Sequence, residues 1–179
     1  MKKIKKILIF AVLILFSNNT MNAKNTTIYD YKFIDIDGNS INLSSFQGQP
    51  LLLINTASRC GFTPQYEGLQ KLFTKYRSTD LTIIATTSNS FNQEYSSTEE
   101  IKKFCLANYG VGFITSEPIN VKGENAHPIY KWINKEYNKK PKWNFYKFLF
   151  DRNGRLIDSW SSITKPNSIK IINRIDNLI

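Results

Sequence analysis

The stretch PLLLINTASRCGFTPQYEGLQKLFTKY, residues 50–76, decides the fold. Its first part, Pro50 to Ser58, is a continuous apolar run without alternation, the pattern of a central strand buried on both faces. Its last part spaces Tyr66, Leu69, Leu72, Phe73 and Tyr76 three and four apart, which predicts an amphipathic helix. Cys60 stands at the junction, followed by Gly61, which gives the backbone room, and by Pro64, which suits a helix first turn.

That junction is a place for chemistry. Ligands gather at the carboxyl ends of strands in α/β sheets. The following helix presents unpaired N–H groups and the positive end of its dipole there. A thiol so placed is expected to have its thiolate favoured and to act as a nucleophile. Arg59 either adds positive potential or turns into water. An inert cysteine capping a core strand is the bland alternative. Thr63 occupies the place of the second cysteine in a CxxC motif. Without that neighbour Cys60 cannot close a fast local disulfide, so it must attack something else first. A peroxide is a natural target, because a thiolate attacks the O–O bond and becomes a sulfenic acid.

Outward from this junction the chain reads as one α/β domain. Upstream, YDYKFIDIDGNSINLSSF alternates apolar and polar residues on both sides of Asp37-Gly38, a hairpin signature. Downstream, LTIIATTS is a second buried strand. SSTEEIKKFCLANYG then opens with a capping pattern and closes at Gly110, as a helix does. A helix near His127 to Tyr137 follows, then a strand at Phe145 to Phe150, the turn DRNG, a strand at Arg155 to Trp160 and a last helix after Pro166. A β-hairpin before the first strand–helix–strand unit, with a reactive cysteine at its first junction, points to the thioredoxin fold. The expected architecture is α/β, a mixed central sheet flanked by helices, over residues 24–179.

The first 23 residues read differently. MKKIKK is basic, Ile7 to Phe16 is apolar, and a polar stretch reaches Ala23: the three parts of a secretory signal peptide. The apolar run is short of the roughly 20 residues that span a bilayer, and an uncleaved N-terminal anchor is the alternative. Export would place the domain in the periplasm or envelope. Loss of Lys2, Lys3, Lys5 and Lys6 with that segment lowers the net charge of +10 to +6. The remaining basic residues are scattered and not interleaved with aromatics, which argues against nucleic-acid binding. Cys60, Cys105 and His127 are the only cysteines and histidine, too few for a zinc site of the usual kind. No metal and no cofactor are expected. In an exported protein the two cysteines could also form a plain structural disulfide.

NTASRCGFTPQYEGLQKLF, NSFNQE, EEIKKFCLANYGVGF, NVKGENAHPIYKWI and WNFYKFLFDRNGRLIDSWSSITKP together resemble the glutathione peroxidase family, in its order and spacing, from about Tyr29 to the C-terminus. The resemblance implies a thioredoxin-like hydroperoxide reductase in which Cys60 is the peroxidatic residue, at the place where other members carry selenocysteine. It implies that Trp143 and Asn144 belong to the active site, where an indole N–H and an amide NH₂ are donors able to hold a thiolate and help the departing oxygen. Core packing for Trp143 and a turn role for Asn144 are the plainer readings. Counted along TTSNSFNQE, Ser90 falls at the family's glutamine position, and Gln93 at a different glutamine. Cys105 matches the resolving cysteine of thioredoxin-dependent members, although Ile101, Phe104 and Cys105 also share a helix face and suit a core. Resolution would need the two Cα atoms within ~7 Å, hence local unwinding.

A thioredoxin-like protein or glutathione is the implied reductant, a hydroperoxide, including lipid ones, the substrate. The short segment between Glu136 and Trp143 lacks room for the insertion of tetrameric members, which implies a monomer. Three other readings stand beside this one: an envelope thiol–disulfide oxidoreductase, a cysteine hydrolase pairing Cys60 with His127, and a non-catalytic binding module. His127 before a proline at a helix start suits a surface or capping position better than catalysis.

Overall fold

In the computed structural model, residues 26–179 are described; the expected leader, residues 1–23, lies outside the described residues. A short 3-10 turn, Ile28–Asp30, precedes the hairpin of β1 (Lys32–Ile34) and β2 (Ser40–Asn42), in which Phe33 faces Ile41. The connection is longer than an Asp-Gly dipeptide turn. The Asp35 carboxylate accepts the N–H groups of Asp37 and Asn39 at 2.9 and 2.8 Å, and Gly38 takes the left-handed conformation, φ 85°.

The central sheet holds β3 (Leu51–Thr56), β4 (Thr82–Thr87), β5 (Ile114–Thr115), β6 (Lys147–Phe150) and β7 (Leu156–Trp160) in the order β5-β4-β3-β6-β7. β3 pairs parallel with β4, and β4 with β5, whereas β6 runs antiparallel to both β3 and β7. Every residue of β3, β4 and β6 is buried, the polar Asn55 and Lys147 included, as befits strands covered on both faces. Two residues of β5 carry no periodicity, which is why sequence reading passed over that edge strand.

Helices cover both faces. α1 (Gln65–Tyr76), α2 (Thr98–Tyr109) and α4 (Ile169–Asp176) pack Leu69, Leu72, Ile101, Ile171 and Ile175 against Leu52, Ile54, Ile83, Ala85 and Leu149. On the opposite face α3 (Pro128–Tyr137) lays Ile129, Tyr130, Trp132 and Ile133 over Leu51, Leu53, Ile84, Phe148 and Phe150. Full burial of each such side chain contributes about 2 kcal/mol. Helix ends follow their sequence signals. Ser97 accepts the Glu100 N–H at 3.1 Å, Gly110 closes α2 at φ 56°, and the imidazole of His127 accepts the Ile129 N–H at 3.3 Å. His127 is therefore a helix cap. The DRNG turn ends at Gly154, φ 73°, where a Cβ would come within 2.7 Å of the Tyr29 ring.

This topology fixes where chemistry can occur. Because β6 is antiparallel to β3, with Ile54 opposite Lys147, the start of β6 lies beside the end of β3. The loops that follow β3 and β4, and the turn that precedes β6, therefore meet at one edge of the sheet.

Candidate active site

Cys60 lies in the first of these loops. The chain does not pass directly from strand to helix. Residues 57–64 form successive turns, with the Thr63 N–H on the Cys60 carbonyl at 3.0 Å and the Gln65 N–H on that of Phe62 at 2.9 Å. Thr63 holds this loop shut, since its hydroxyl accepts the Cys60 N–H at 3.0 Å and donates to the Ala57 carbonyl at 2.8 Å. The residue standing where a CxxC motif would have sulfur is thus a buried structural bracket. The Cys60 sulfur accepts the Phe62 N–H at 3.4 Å, and the residue is only 6% exposed. The Arg59 guanidinium sits 5.7 Å from the Tyr95 ring centroid.

Trp143 and Asn144 come from the turn before β6, and their placement depends on Asn55, a buried residue of β3. The Asn55 amide donates to the Trp143 carbonyl at 3.1 Å and accepts the Tyr146 N–H at 3.0 Å, while its own carbonyl takes the Phe145 N–H at 2.6 Å. So clamped, Phe145 adopts φ 63°, a conformation that costs a bulky residue of order 1 kcal/mol and persists only where surroundings impose it. The reversal carries Trp143 to the surface, 40% exposed with its ring 5.2 Å from that of Phe91, and buries Asn144 completely.

The structure brings Gln93, not Ser90, to Asn144. Asn144 Nδ2 donates to Gln93 Oε1 at 3.1 Å, and the Gln93 carbonyl accepts the Arg59 N–H at 2.9 Å, next to Cys60. Gln93 therefore joins the cysteine loop to the Trp-Asn turn. Ser90 serves elsewhere: its Oγ accepts from Ser88 Oγ and from the Val121 N–H, both at 3.0 Å. The reason is local. Asn92 takes φ 58° within a turn in which its N–H bonds the Asn89 carbonyl, so the chain swings Gln93 round toward Arg59. The carboxamide in NQE was the available signal.

Other polar groups brace this arrangement. Ser162 Oγ donates to the Asn144 carbonyl at 2.5 Å, Gln65 Nε2 to the Ser162 carbonyl at 2.6 Å, and the buried Lys147 ammonium to Gln65 Oε1 and the Thr164 carbonyl at 2.5 and 2.6 Å. Burial pushes Lys147 down to about 7.

Cys105, on α2, is a free buried thiol, 3% exposed, in the same apolar cluster as Cys60, itself also free. Burial pushes Cys105 up to about 11; the nearby Tyr66 hydroxyl pulls it down and Glu94 pushes it further up. Among the described residues no group of three or more His, Cys, Asp or Glu could hold a metal ion.

A thioredoxin-type sheet carrying one thiol at the end of its first central strand, without CxxC and with amide and indole donors at the same edge, defines a thiol peroxidase class of site. Residues 28–134 match the glutathione peroxidase family. The chain is 44% identical over 147 residues to a glutathione peroxidase-like peroxiredoxin of Schizosaccharomyces pombe, covering 79% of this chain and 93% of the relative. It is 40% identical over 156 residues to a hydroperoxy fatty acid reductase of Synechocystis, with 81% and 92% covered. Among solved structures, T. cruzi GPX1 superposes with a TM-score of 0.66 at 30% identity, over 86% of this chain and 96% of that one. A thiol:disulfide interchange protein from Chlorobium tepidum, 20% identical with a TM-score of 0.62 over 85% and 94% of the two chains, shares the fold. The chain belongs to the glutathione peroxidase family and is a thiol-dependent hydroperoxide reductase.

Proposed function

We propose that the protein reduces hydrogen peroxide and organic hydroperoxides, lipid ones included, by a two-cysteine cycle centred on Cys60. The Cys60 thiolate attacks one peroxide oxygen, the O–O bond breaks, and the departing oxygen takes a proton to leave as water or an alcohol. Sulfur is left as sulfenic acid. Trp143, Gln93 and Asn144 supply donors at the edge where charge develops. Cys105 then attacks the sulfenic sulfur, water leaves, and the Cys60–Cys105 disulfide is reduced by a thioredoxin-like dithiol. The observation that carries this reading is the bridge from the Cys60 loop through Gln93 to Asn144.

The names of the relatives, peroxiredoxin in one and hydroperoxy fatty acid reductase in another, agree with a protein dithiol as donor and with lipid peroxides as substrates. The missing CxxC weighs against a dithiol exchange catalyst. Cleavage after the leader, residence in the periplasm or envelope and a monomeric state belong to the same proposal, resting on the basic-apolar-polar start and the short Glu136–Trp143 segment.

The test is peroxide turnover with thioredoxin or glutathione as donor, for wild type and Cys105→Ser. Wild type should turn over with thioredoxin, and Cys105→Ser should lose most of that rate. Full thioredoxin-driven turnover by Cys105→Ser would show that the two-cysteine cycle is wrong.

A further inference from the structure

The loop after β7 ends at the reacting edge. β7 runs antiparallel to β6, with Trp160 opposite Lys147, so the segment that follows β7 lies beside the Trp143–Asn144 turn. Ser162 fixes that segment twice. Its Oγ donates to the Asn144 carbonyl at 2.5 Å, and its own carbonyl accepts from the Gln65 amide at 2.6 Å. Two residues on, the Thr164 N–H bonds the Ser161 carbonyl at 3.2 Å, and the Lys147 ammonium holds the Thr164 carbonyl at 2.6 Å. Ile163, between these anchors, is 81% exposed, the most exposed large apolar side chain among the described residues. A lone surface isoleucine is ordinary. This one is held on both sides, one residue from the serine that bonds Asn144, and so forms a fixed apolar surface at the site.

That surface borders a groove of about 400 Å³, lined on one side by Ile163, Lys165 and Pro166 and on the other by Gly61, Phe62 and Pro64. Two observations tie the groove to the sulfur. The Phe62 N–H is the donor 3.4 Å from Cys60 Sγ. Gly61, bonded to Cys60, has nothing within 4 Å of where a Cβ would stand, so the groove is open beside the nucleophile. Farther along, Pro166 seats on α1 at Gly68, where a Cβ would come within 3.0 Å of the proline ring, and this contact floors the groove.

The rim carries charge. Lys71 is taken by Glu67 at 2.5 Å, whereas Lys165 makes no ion pair among the described residues, which leaves one net positive charge. An apolar passage leading from the sulfur toward an unpaired ammonium fits one kind of molecule, a hydroperoxide on a long aliphatic chain that ends in a carboxylate. Hydrogen peroxide has nothing to place there.

We propose that this groove is the tail subsite of the peroxidase and that Ile163 sets its preference for long-chain carboxylate hydroperoxides over hydrogen peroxide. This rests on the peroxidase reading above, and on its first step only, which takes place in the reduced, packed fold. The chain lies across Phe62 and Ile163 and removes both from water, while Lys165 meets the carboxylate.

The test is the stopped-flow reaction of reduced protein with hydrogen peroxide, with linoleic acid hydroperoxide and with the methyl ester of the latter, below micelle-forming concentrations. Ile163→Ser should lower the rate constant for the fatty acid hydroperoxide, relative to that for hydrogen peroxide, about tenfold, as expected for one lost apolar contact of this size. Ile163→Leu should restore the ratio. Lys165→Gln should lower the preference for the free acid over its methyl ester about threefold, as expected for an exposed ion pair. Added salt should do the same to wild type. An unchanged ratio in Ile163→Ser, no restoration in Ile163→Leu, or an unchanged acid preference in Lys165→Gln would overturn the proposal. So would an Ile163→Ser protein that keeps both peroxide rates and loses turnover with thioredoxin, which would give the groove to the protein reductant. Failure of wild type to consume either peroxide would instead strike the peroxidase reading itself.

Discussion

At the scale of single residues, three donors at the Cys60 edge have no partner among the described residues: the Trp143 indole N–H, the Gln93 carboxamide nitrogen and the second amide hydrogen of Asn144. A free donor facing a reacting oxygen is worth most when the oxygen gains charge. The distinction between Gln93 and Ser90 can be measured. Gln93→Ala should slow the reaction of reduced protein with peroxide by about 100-fold, the cost of losing one such donor. Ser90→Ala, which removes an acceptor for Val121 and Ser88, should leave that rate near wild type. Stopped-flow peroxide consumption checks both, and a reversed order would return the role to Ser90. The places of Cys60, after a buried strand, and of Trp143 and Asn144, just before another, were legible in the sequence because strand ends are marked by the apolar runs beside them. The contact of Gln93 with Asn144 was not, because a loop has no periodicity to fix its register. The αL turn at Asn92 is a backbone event that residue counting does not see.

At the scale of elements, the lysine of β6 ties three pieces together. Lys147 reaches from the strand to Gln65 at the head of α1 and to the segment after β7, which in turn holds the Asn144 carbonyl through Ser162. Burial lowers this amine to about 7, far below its value in an unfolded chain. Below pH 7 the amine is charged in both states, and the fold bears the full cost of burying the charge. As pH rises above 7 the folded protein releases a proton that the unfolded chain keeps until about 10.5, so stability grows with pH through that window. The slope approaches 1.4 kcal/mol per pH unit at most. In Lys147→Met this rise should vanish, so that wild type gains on the variant from pH 7 to 9 in denaturant unfolding. Parallel pH profiles would contradict the assignment. From sequence alone YKFLF reads as a buried strand, yet it gives no hint that its lysine stays buried with it. The clamp of Asn55 on the Trp143–Tyr146 turn was equally hidden, since Asn55 sits inside a run that reads as uniform core.

For the molecule as a whole, the apolar runs and helical spacings were enough to place a mixed sheet with a cysteine at the end of its first central strand. They were enough because burial on both faces leaves such a sheet few arrangements. What patterning does not carry is how loops from distant parts of the chain close over that end, bringing residues 60, 93 and 144 together. Everything proposed for the protein follows from that meeting of loops around one sulfur. The direct measurement is the rate and stoichiometry of thiol loss when fully reduced protein meets one equivalent of hydrogen peroxide. Wild type should lose two thiols per peroxide and Cys105→Ser one, both rapidly, while Cys60→Ser should react no faster than free cysteine. Rapid peroxide consumption by Cys60→Ser would contradict the account.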